Sequence, residues 1–396
     1  MKEKLKTINP SNNQLYWTSI CDSCIESSEE LKPKYVKNHK YNSDIDILSQ
    51  HQKNLRLKIE TEKNVDKKKI LKGARNKALQ SIKEINIKAK HDKLYETIEE
   101  INASKDDSRR MFKAVKSITR KQDNTVFVQD ENGHLVGNTK AKIKEITEHF
   151  KSAFQKDNAI NCPNIEPSKL TIPFTKEEVK KAISSLKNNK SAGCDKLRAE
   201  HLKFAPEEIN EHIANLLNNV AETGKYPKEL KTGLLTPLQK PGKKKGPPEN
   251  LRPVILLSIL RKILAICVIR RINDRVRSEI IPITQAAYTE GRSTTELVFT
   301  FKLLAEKAIT SENYEINLLM LDMSKAFDTI QRGTLFEDLK DVLEKDELYL
   351  IHLLLNDVEI AVKLENEIGE FFKSLIGSPQ GDAASALFFI IYLAIT

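Results

Sequence analysis

The chain of 396 residues contains no apolar run as long as the roughly 18 residues that a membrane-spanning helix needs. Its longest apolar segment, 386–395, is about half a span, and a buried helix accounts for it better. The first residues, Met1–Lys6, lack the apolar core of a secretory signal. The sequence therefore predicts an intracellular protein, nuclear or cytoplasmic, that makes no use of a membrane.

Cysteine is scarce and odd in number, with five residues at positions 21, 24, 162, 194 and 267. No disulfide framework is indicated, which favours a reducing compartment. Cys21 and Cys24 have the spacing of a zinc half-site, but His39 and His51 are too far apart to complete it in the usual way. We therefore expect no metal at these cysteines.

Acidic charge is in deficit in one part of the chain only. The net charge is +10, and residues 51–120, with 20 Lys and Arg against 10 Asp and Glu, account for all of it. Such a concentrated excess is typical of a region that meets a polyanion, although a solvated, charge-rich helix is the alternative. A second basic cluster lies in an exposed loop rich in Pro, Gly and Lys. The predicted nucleic-acid contacts are three lysines from each place: Lys67, Lys68, Lys69, Lys243, Lys244 and Lys245.

The segment Leu318–Leu321 is a short apolar run that ends on an acid, Asp322. Four consecutive apolar residues predict a strand buried on both faces. An unpaired carboxylate there would cost on the order of several kcal/mol, so it is more suited to holding a metal or another cation. The acid is followed by Lys325-Ala-Phe-Asp328.

A second segment whose residues could bind a ligand is Gly377-Ser-Pro-Gln-Gly381, which precedes an apolar helix. Glycine lets the backbone approach a ligand closely, and Pro379 fixes the turn. Gln380 carries two donors and an acceptor on one planar group. A plain helix entry with a Gly and Pro cap is the alternative.

Four segments in this order, 250–258, 285–294, 322–328 and 377–382, resemble motifs 1, 2, A and B of the reverse transcriptases of non-LTR (LINE-type) retrotransposons. The resemblance covers 171–396 through the ordered motifs and 91–155 more loosely. It implies an α+β chain with a right-hand polymerase fold, in which fingers and an incomplete palm follow a basic, mostly helical region.

The resemblance and the residue patterns together predict four regions. Residues 1–45 are polar and loose. Residues 46–170 form a basic helical region with one β-hairpin, predicted from Val126–Val128 and Leu135–Val136 around a turn containing glycine. Residues 171–234 form the helical start of the fingers, and 235–396 form the reverse transcriptase domain.

The resemblance also implies roles for individual residues. Asp322 is the catalytic carboxylate and would bind Mg²⁺ together with the backbone carbonyl of Met323. Phe327 matches the steric gate that excludes ribonucleotides. The full predicted nucleotide-binding set is Arg252, Arg292, Lys325, Ala326, Phe327, Gln380 and Gly381, in which the arginine forks suit phosphate oxygens.

The implied function is RNA-directed DNA synthesis with two Mg²⁺ ions, an RNA template, a DNA primer and deoxynucleoside triphosphates. The oligomeric state stays open. The first alternative is a catalytically inactive fragment that only binds RNA or DNA, and the second is a purely structural helical protein.

The sequence departs from the family pattern in several places. The aromatic-Ala-Asp-Asp motif, which supplies the second metal carboxylate, is expected a few tens of residues after Gln380, whereas the sequence ends 16 residues after it. We therefore expect a chain truncated within the palm, which does not polymerise alone because one carboxylate cannot hold both ions. Thr289, Ala384 and Ala386 also differ from the usual family residues.

Overall fold

The computed structural model of the chain describes residues 12–30, 42–62, 64–103, 107, 110–111, 115, 126–156, 158–310, 315–323 and 325–395. The helices are α1 Asn13–Glu30, α2 Asn42–Thr61, α3 Val65–Ala103, α4 Thr139–Phe154, α5 Lys176–Ser185, α6 Ala199–Lys203, α7 Glu208–Thr223, α8 Ile259–Glu279, α9 Thr294–Thr310, α10 Arg332–Leu339, α11 Lys345–Leu355 and α12 Ser385–Ile395. The strands are β1 Thr232–Gln239, β2 Leu251–Leu257, β3 Val358–Leu364 and β4 Glu367–Ser374. Helix and sheet together confirm the predicted mixed α+β class.

The chain divides into two compact units. The larger unit consists of residues 1–31 and 126–396, and the smaller unit consists of residues 32–125. The smaller unit contains α2 and α3, which pack against each other and bury Leu55, Ile59 and Ala78.

One mixed sheet in the larger unit has the strand order β2-β1-β3-β4. The β1–β2 and β3–β4 pairs are antiparallel, whereas β1 and β3 are parallel. Helix α4 packs on β3 and β4, and its Ile146 and Phe150 join the core formed by Ile255 and Ile360 of the sheet. This packing places the region around α4 with the sheet rather than with the basic helices that precede it.

The second core of the larger unit is helical, and local sequence signals set its helix ends. Thr175 caps α5 by accepting a hydrogen bond from the Glu178 amide at 3.2 Å, as the capping-box pattern predicts. Helix α7 ends at Gly224, whose φ of 68° a residue with a side chain would adopt at a cost. The apolar run at the end of the chain forms α12, which buries Phe388 and Ile391 as expected of a core helix.

The prediction of a loose N-terminus is wrong for residues 13–30. They form α1, and Trp17 and Ile20 are completely buried in the helical core of the larger unit. Polar contacts support the docking, since the Asn13 side-chain amide donates to the Lys225 carbonyl and Tyr16 bonds His212. The sequence pattern is weak because this helix presents few apolar side chains, and it buries most of them.

The predicted β-hairpin at 126–136 is reduced to a single bridge. Gln129 pairs with Leu135 across a turn that contains Gly133, and Val128 pairs with Gly246. Val128 is completely buried because it inserts into the core between α4 and the sheet. The hairpin is therefore a short turn that anchors the chain to the loop after β1.

The predicted buried strand at Leu318–Leu321 is also wrong. The segment is irregular, and its four side chains are 56–82% exposed. A strand requires a neighbour that completes its backbone hydrogen bonds, and the four strands of the described sheet do not include this segment. Helix α9, just before it, likewise buries none of its described side chains.

Candidate nucleotide site

A tight turn positions the residues that follow Asp322. Lys325 has a φ of 56° and begins a short 3-10 turn at Ala326–Asp328. The Asp328 amide donates to the Lys325 carbonyl at 2.8 Å, which closes the turn. Lys325 is exposed, whereas Ala326 and Phe327 are half-buried. The turn therefore presents a cation and an aromatic ring side by side.

The ring of Phe327 lies close to two other aromatic rings. Its centroid lies 6.2 Å from that of Tyr288 in an edge-on arrangement, and 5.1 Å from that of Phe389 on α12. Aromatic pairs at these distances attract one another beyond their shared apolar burial. The predicted steric gate therefore has two aromatic neighbours that sequence reasoning missed.

The segment Gly377–Asp382, here called the nucleotide loop, connects β4 to α12. Gly377 and Gly381 have φ values of 74° and 122°, which favour glycine. A Cβ on Gly377 would lie 2.8 Å from the Phe327 carbonyl oxygen, and one on Gly381 would lie 2.5 Å from that of Ile255. Both glycines are thus required where the loop passes close to other backbone.

Hydrogen bonds join the nucleotide loop to the turn. The Ser378 amide donates to the Phe327 carbonyl at 2.9 Å, and the Gly377 amide donates to the Ile330 carbonyl at 2.8 Å. The Gln380 side-chain amide donates to the Asp328 carboxylate at 2.9 Å. Burial raises the pKa of Asp328, while the bond from Gln380 opposes that shift by stabilising the charged form. Asp328 thus has a local hydrogen-bonding role that joins the turn to the nucleotide loop.

Strand β2 is the third element of the site, after the turn and the nucleotide loop. The Ile255 amide donates to the Gln380 carbonyl at 2.8 Å, so the nucleotide loop is bonded to the strand that carries Arg252. Arg252 is exposed and lies opposite Leu238 of β1. The structure therefore brings together Lys325, Ala326, Phe327, Gln380 and Gly381 of the predicted nucleotide-binding set, and Arg252 lies three residues from Ile255 on the adjoining strand.

Lys240 extends the positive charge that Lys325 gives this site. The positive charges of Lys240 and Lys325 both lower the pKa of Asp328. Burial lowers the pKa of His149 on α4, and the same two charges lower it further. The Lys240 ammonium donates to the Glu249 carbonyl at 2.7 Å, which anchors it at the base of its loop. Its position directly after β1 and before Pro241-Gly242 was the available sequence signal.

Arg292 is engaged by neighbours within its own segment. Its guanidinium donates to the Glu296 carboxylate at 2.8 Å and to the Ile283 carbonyl at 2.7 Å. These contacts order the turn before α9. A role in phosphate binding would require exchanging them for a ligand.

The two predicted metal ligands are exposed to solvent. Asp322 and Met323 lie in the exposed, irregular segment. Among the described residues, no group of three or more His, Cys, Asp or Glu side chains is arranged to hold a metal ion. Asp322 fits a divalent cation as one hard oxygen ligand and can supply only part of its coordination shell.

Three of the predicted nucleic-acid contacts lie in the loop after β1, as expected from its composition. Lys243, Lys244 and Lys245 are all exposed there. The Lys244 carbonyl accepts a hydrogen bond from the Asn250 side-chain amide at 3.1 Å, which joins the loop to the start of β2. The Lys245 ammonium lies 5.2 Å from the centroid of the Phe127 ring. The loop is therefore held by the hydrogen bond to the Lys244 carbonyl and by the contact of Lys245 with Phe127, while the Lys244 side chain is exposed.

The other three predicted contacts lie in the smaller unit. Lys67 and Lys69 are exposed near the start of α3, whereas Lys68 is half-buried and presents less of its side chain to a partner. In the part of the chain that the structure describes, no helix is both long and apolar enough to cross a membrane.

Comparison with known proteins identifies the class of protein to which this arrangement belongs. Residues 240–395 match the family described as reverse transcriptase (RNA-dependent DNA polymerase). The match includes β2, the turn after Asp322 and the nucleotide loop. The chain therefore carries a reverse transcriptase domain, a family that generally uses divalent metal ions.

Relatives place the chain more narrowly. It is 25% identical over 296 residues to the probable RNA-directed DNA polymerase from transposon BS of Drosophila melanogaster, covering 72% of this chain and 33% of that protein. It is 24% identical to the probable RNA-directed DNA polymerase from transposon X-element of the same fly, covering 71% and 32%. It is 26% identical to the RNA-directed DNA polymerase from mobile element jockey of Drosophila funebris, covering 56% and 24%.

The chain is thus homologous to the RNA-directed DNA polymerases of non-LTR retrotransposons, and its ancestry is that of a reverse transcriptase. It spans about a third of the length of the first two relatives. This ancestry confirms the predicted family and favours it over a protein that only binds nucleic acid.

Proposed function

We propose that this chain supplies the nucleotide-binding part of an RNA-directed DNA polymerase, with the fingers and part of the palm of a right-hand fold. The observation that carries the proposal is the bonding of three family motifs into one site. Gln380 bonds Asp328 through its side chain and Ile255 through its carbonyl. A deoxynucleoside triphosphate would meet this site with an RNA template, and a DNA primer would supply the attacking hydroxyl.

The chain's own residues would divide the work of binding. Arg252, Lys240 and Lys325 carry positive charge that suits the triphosphate. The ring of Phe327 would occupy the space of a ribose 2′-hydroxyl and so favour deoxynucleotides. Asp322, with the Met323 carbonyl, would hold a divalent cation, which we propose is Mg²⁺. When bound, such an ion stabilises the charge that develops during nucleotidyl transfer.

The nucleic-acid partners suit the basic surfaces. Lys243, Lys244 and Lys245 and the basic 51–120 region would contact phosphates of the template or primer. Because RNA templates and deoxynucleoside triphosphates are found inside cells, we propose an intracellular location, nuclear or cytoplasmic. We propose no oligomeric state.

Equilibrium binding of fluorescently labelled dATP with Mg²⁺ tests the nucleotide site in the 1–396 chain. We expect binding that weakens about tenfold in Gln380→Ala and in Arg252→Ala, because each loses a polar contact to the ligand. Arg270→Ala, an exposed arginine on α8, serves as the control. Absence of binding by the unaltered chain, or equal affinity in all four proteins, would refute the proposal.

Primer extension on an RNA template tests the catalytic step separately. We expect none from the 1–396 chain, because the described residues provide no cluster of carboxylates for two ions. Extension that disappears in Asp322→Asn would show instead that this chain completes a metal site.

A further inference from the structure

Arg332 is a buried cation that reaches the nucleotide loop from α10. It is 2% exposed and follows Asp328 by four residues. Its guanidinium donates to the carbonyls of Ser374 at 2.5 Å, Gly377 at 2.9 Å and Ile376 at 3.2 Å, and to the Ser374 hydroxyl at 2.8 Å. One side chain therefore bonds three carbonyls where β4 ends and the loop begins.

The contacts of Arg332 are unusual for a residue that serves packing alone. Within the described part of the chain, none of the ion pairs includes Arg332, and burial lowers its pKa to about 10. Burial of a cation without a paired anion is costly compared with an apolar side chain of similar size. An apolar side chain, however, would leave the carbonyls of this irregular backbone without these donors.

A second buried arginine holds the other end of the loop. Arg261 on α8 is fully buried, and its guanidinium lies 2.8 Å from the Asp382 carboxylate, which ends the loop. The same guanidinium donates to the Leu230 carbonyl at 3.1 Å and to the Leu354 carbonyl. It thus joins the loop to the backbone two residues before β1 and to the end of α11.

We propose that Arg332 and Arg261 are positioning residues for nucleotide binding, which fix the two ends of the nucleotide loop and thereby the places of Gln380 and Phe327. The identity of the ligand rests on the proposed function. The ordering of the loop by the two arginines is independent of that function. Arg332 connects α10, which follows the turn of Phe327, to the backbone preceding Gln380. A change in this one side chain should therefore disturb the loop and the turn together.

Amide hydrogen exchange of the 1–396 chain without nucleotide tests the ordering. In Arg332→Met we expect the peptide covering 374–382 to exchange at least about tenfold faster, because its carbonyl contacts are lost. The matched control is Arg271→Met, which removes another guanidinium that bonds two carbonyls and a carboxylate, those of Ile172, Pro173 and Glu178. This control should leave the exchange of 374–382 unchanged.

Two milder variants keep the test decisive if Arg332→Met does not fold. Arg332→Lys retains the charge but lacks the planar fork, so we expect it to leave the loop poorly protected. Ser374→Ala removes only the hydroxyl acceptor and should give a smaller increase in exchange. Normal protection of 374–382 in folded Arg332→Lys and Ser374→Ala would overturn the inference.

The functional test compares the affinity of the Arg332 variant for two ligands, a nucleotide and an RNA. Labelled dATP with Mg²⁺ should bind the Arg332→Lys chain about tenfold more weakly, whereas labelled single-stranded RNA should bind equally. Equal losses for both ligands would indicate a general structural role and contradict positioning. If the unaltered chain binds no dATP, the proposed function fails, while the exchange experiment still decides whether Arg332 orders the loop.

Discussion

At the scale of single residues, Gln380 and Asp328 show how the site is assembled from distant positions. They are 52 positions apart in the chain, yet a hydrogen bond of 2.9 Å joins them. Both lie in segments that the sequence singled out, so motif resemblance marked the two segments in advance. The bond itself could not, because it depends on where β2 and the two glycines hold the loop.

Lys231 makes a testable contribution to stability. It is buried at the start of β1, where its ammonium donates to the Asn356 carbonyl at 2.8 Å. Burial lowers its pKa to about 7, and the nearby charge of Arg261 acts in the same direction. The unfolded chain therefore binds this proton more tightly than the folded chain. Stability is lost as the pH falls from the ordinary lysine pKa of about 10.4 to about 7, and below that both states carry the charge.

We expect Lys231→Met to flatten the pH dependence of stability. For the unaltered chain, Lys231 should raise the free energy of unfolding by up to about 1.4 kcal/mol per pH unit between about pH 7 and 9. Urea unfolding at several pH values measures this slope, with Lys228→Met at an exposed position as the control. Identical slopes in Lys231→Met and the unaltered chain would show that Lys231 titrates normally.

At the scale of elements, periodicity and capping predicted the helices better than the strands. Helices α5 and α7 begin or end at the signals the sequence carries, Thr175 and Gly224. The apolar run at Leu318–Leu321 has the composition of a strand, but strand formation depends on a partner that composition does not reveal. The roles of Arg261 and Arg332 were equally hidden, although an arginine within the apolar start of α8 was a detectable signal.

Helix α1 gives the sharpest test of an element that the sequence did not reveal. Trp17 is completely buried and is the only tryptophan in the chain. We expect Trp17→Ala to lower the free energy of unfolding by about 3–5 kcal/mol, because it leaves a large cavity in the core.

Urea unfolding followed by circular dichroism measures the effect of this change. The control is Leu15→Ala on the same helix, where the side chain is 63% exposed and the expected change is within about 0.5 kcal/mol. A loss for Trp17→Ala as small as that for the control would mean that α1 does not dock on the core.

At the scale of the whole molecule, the uneven charge has a predicted consequence for binding. We expect affinity for single-stranded RNA to fall with salt, because bound phosphates release counterions. Replacing Lys67, Lys68 and Lys69 with glutamine should reduce the magnitude of the slope of log affinity against log salt by up to about 0.7 per lysine that contacts phosphate. Fluorescence anisotropy with a labelled RNA measures this slope.

The matched control for these lysines lies in the larger unit. Lys225→Gln with Lys228→Gln removes two exposed charges outside the predicted contacts and should leave the slope unchanged. An unchanged slope in the variant of Lys67, Lys68 and Lys69 would exclude those lysines from the RNA interface.

The most direct test of the central claim, that the chain carries a deoxynucleotide site, is a comparison of labelled dATP and ATP binding with Mg²⁺. The unaltered chain should favour dATP, because the ring of Phe327, which packs near Tyr288 and Phe389, would meet a 2′-hydroxyl. Phe327→Ala should strengthen ATP binding and leave dATP binding nearly the same. Equal affinities for the two nucleotides in the unaltered chain, or an unchanged preference in Phe327→Ala, would contradict the account.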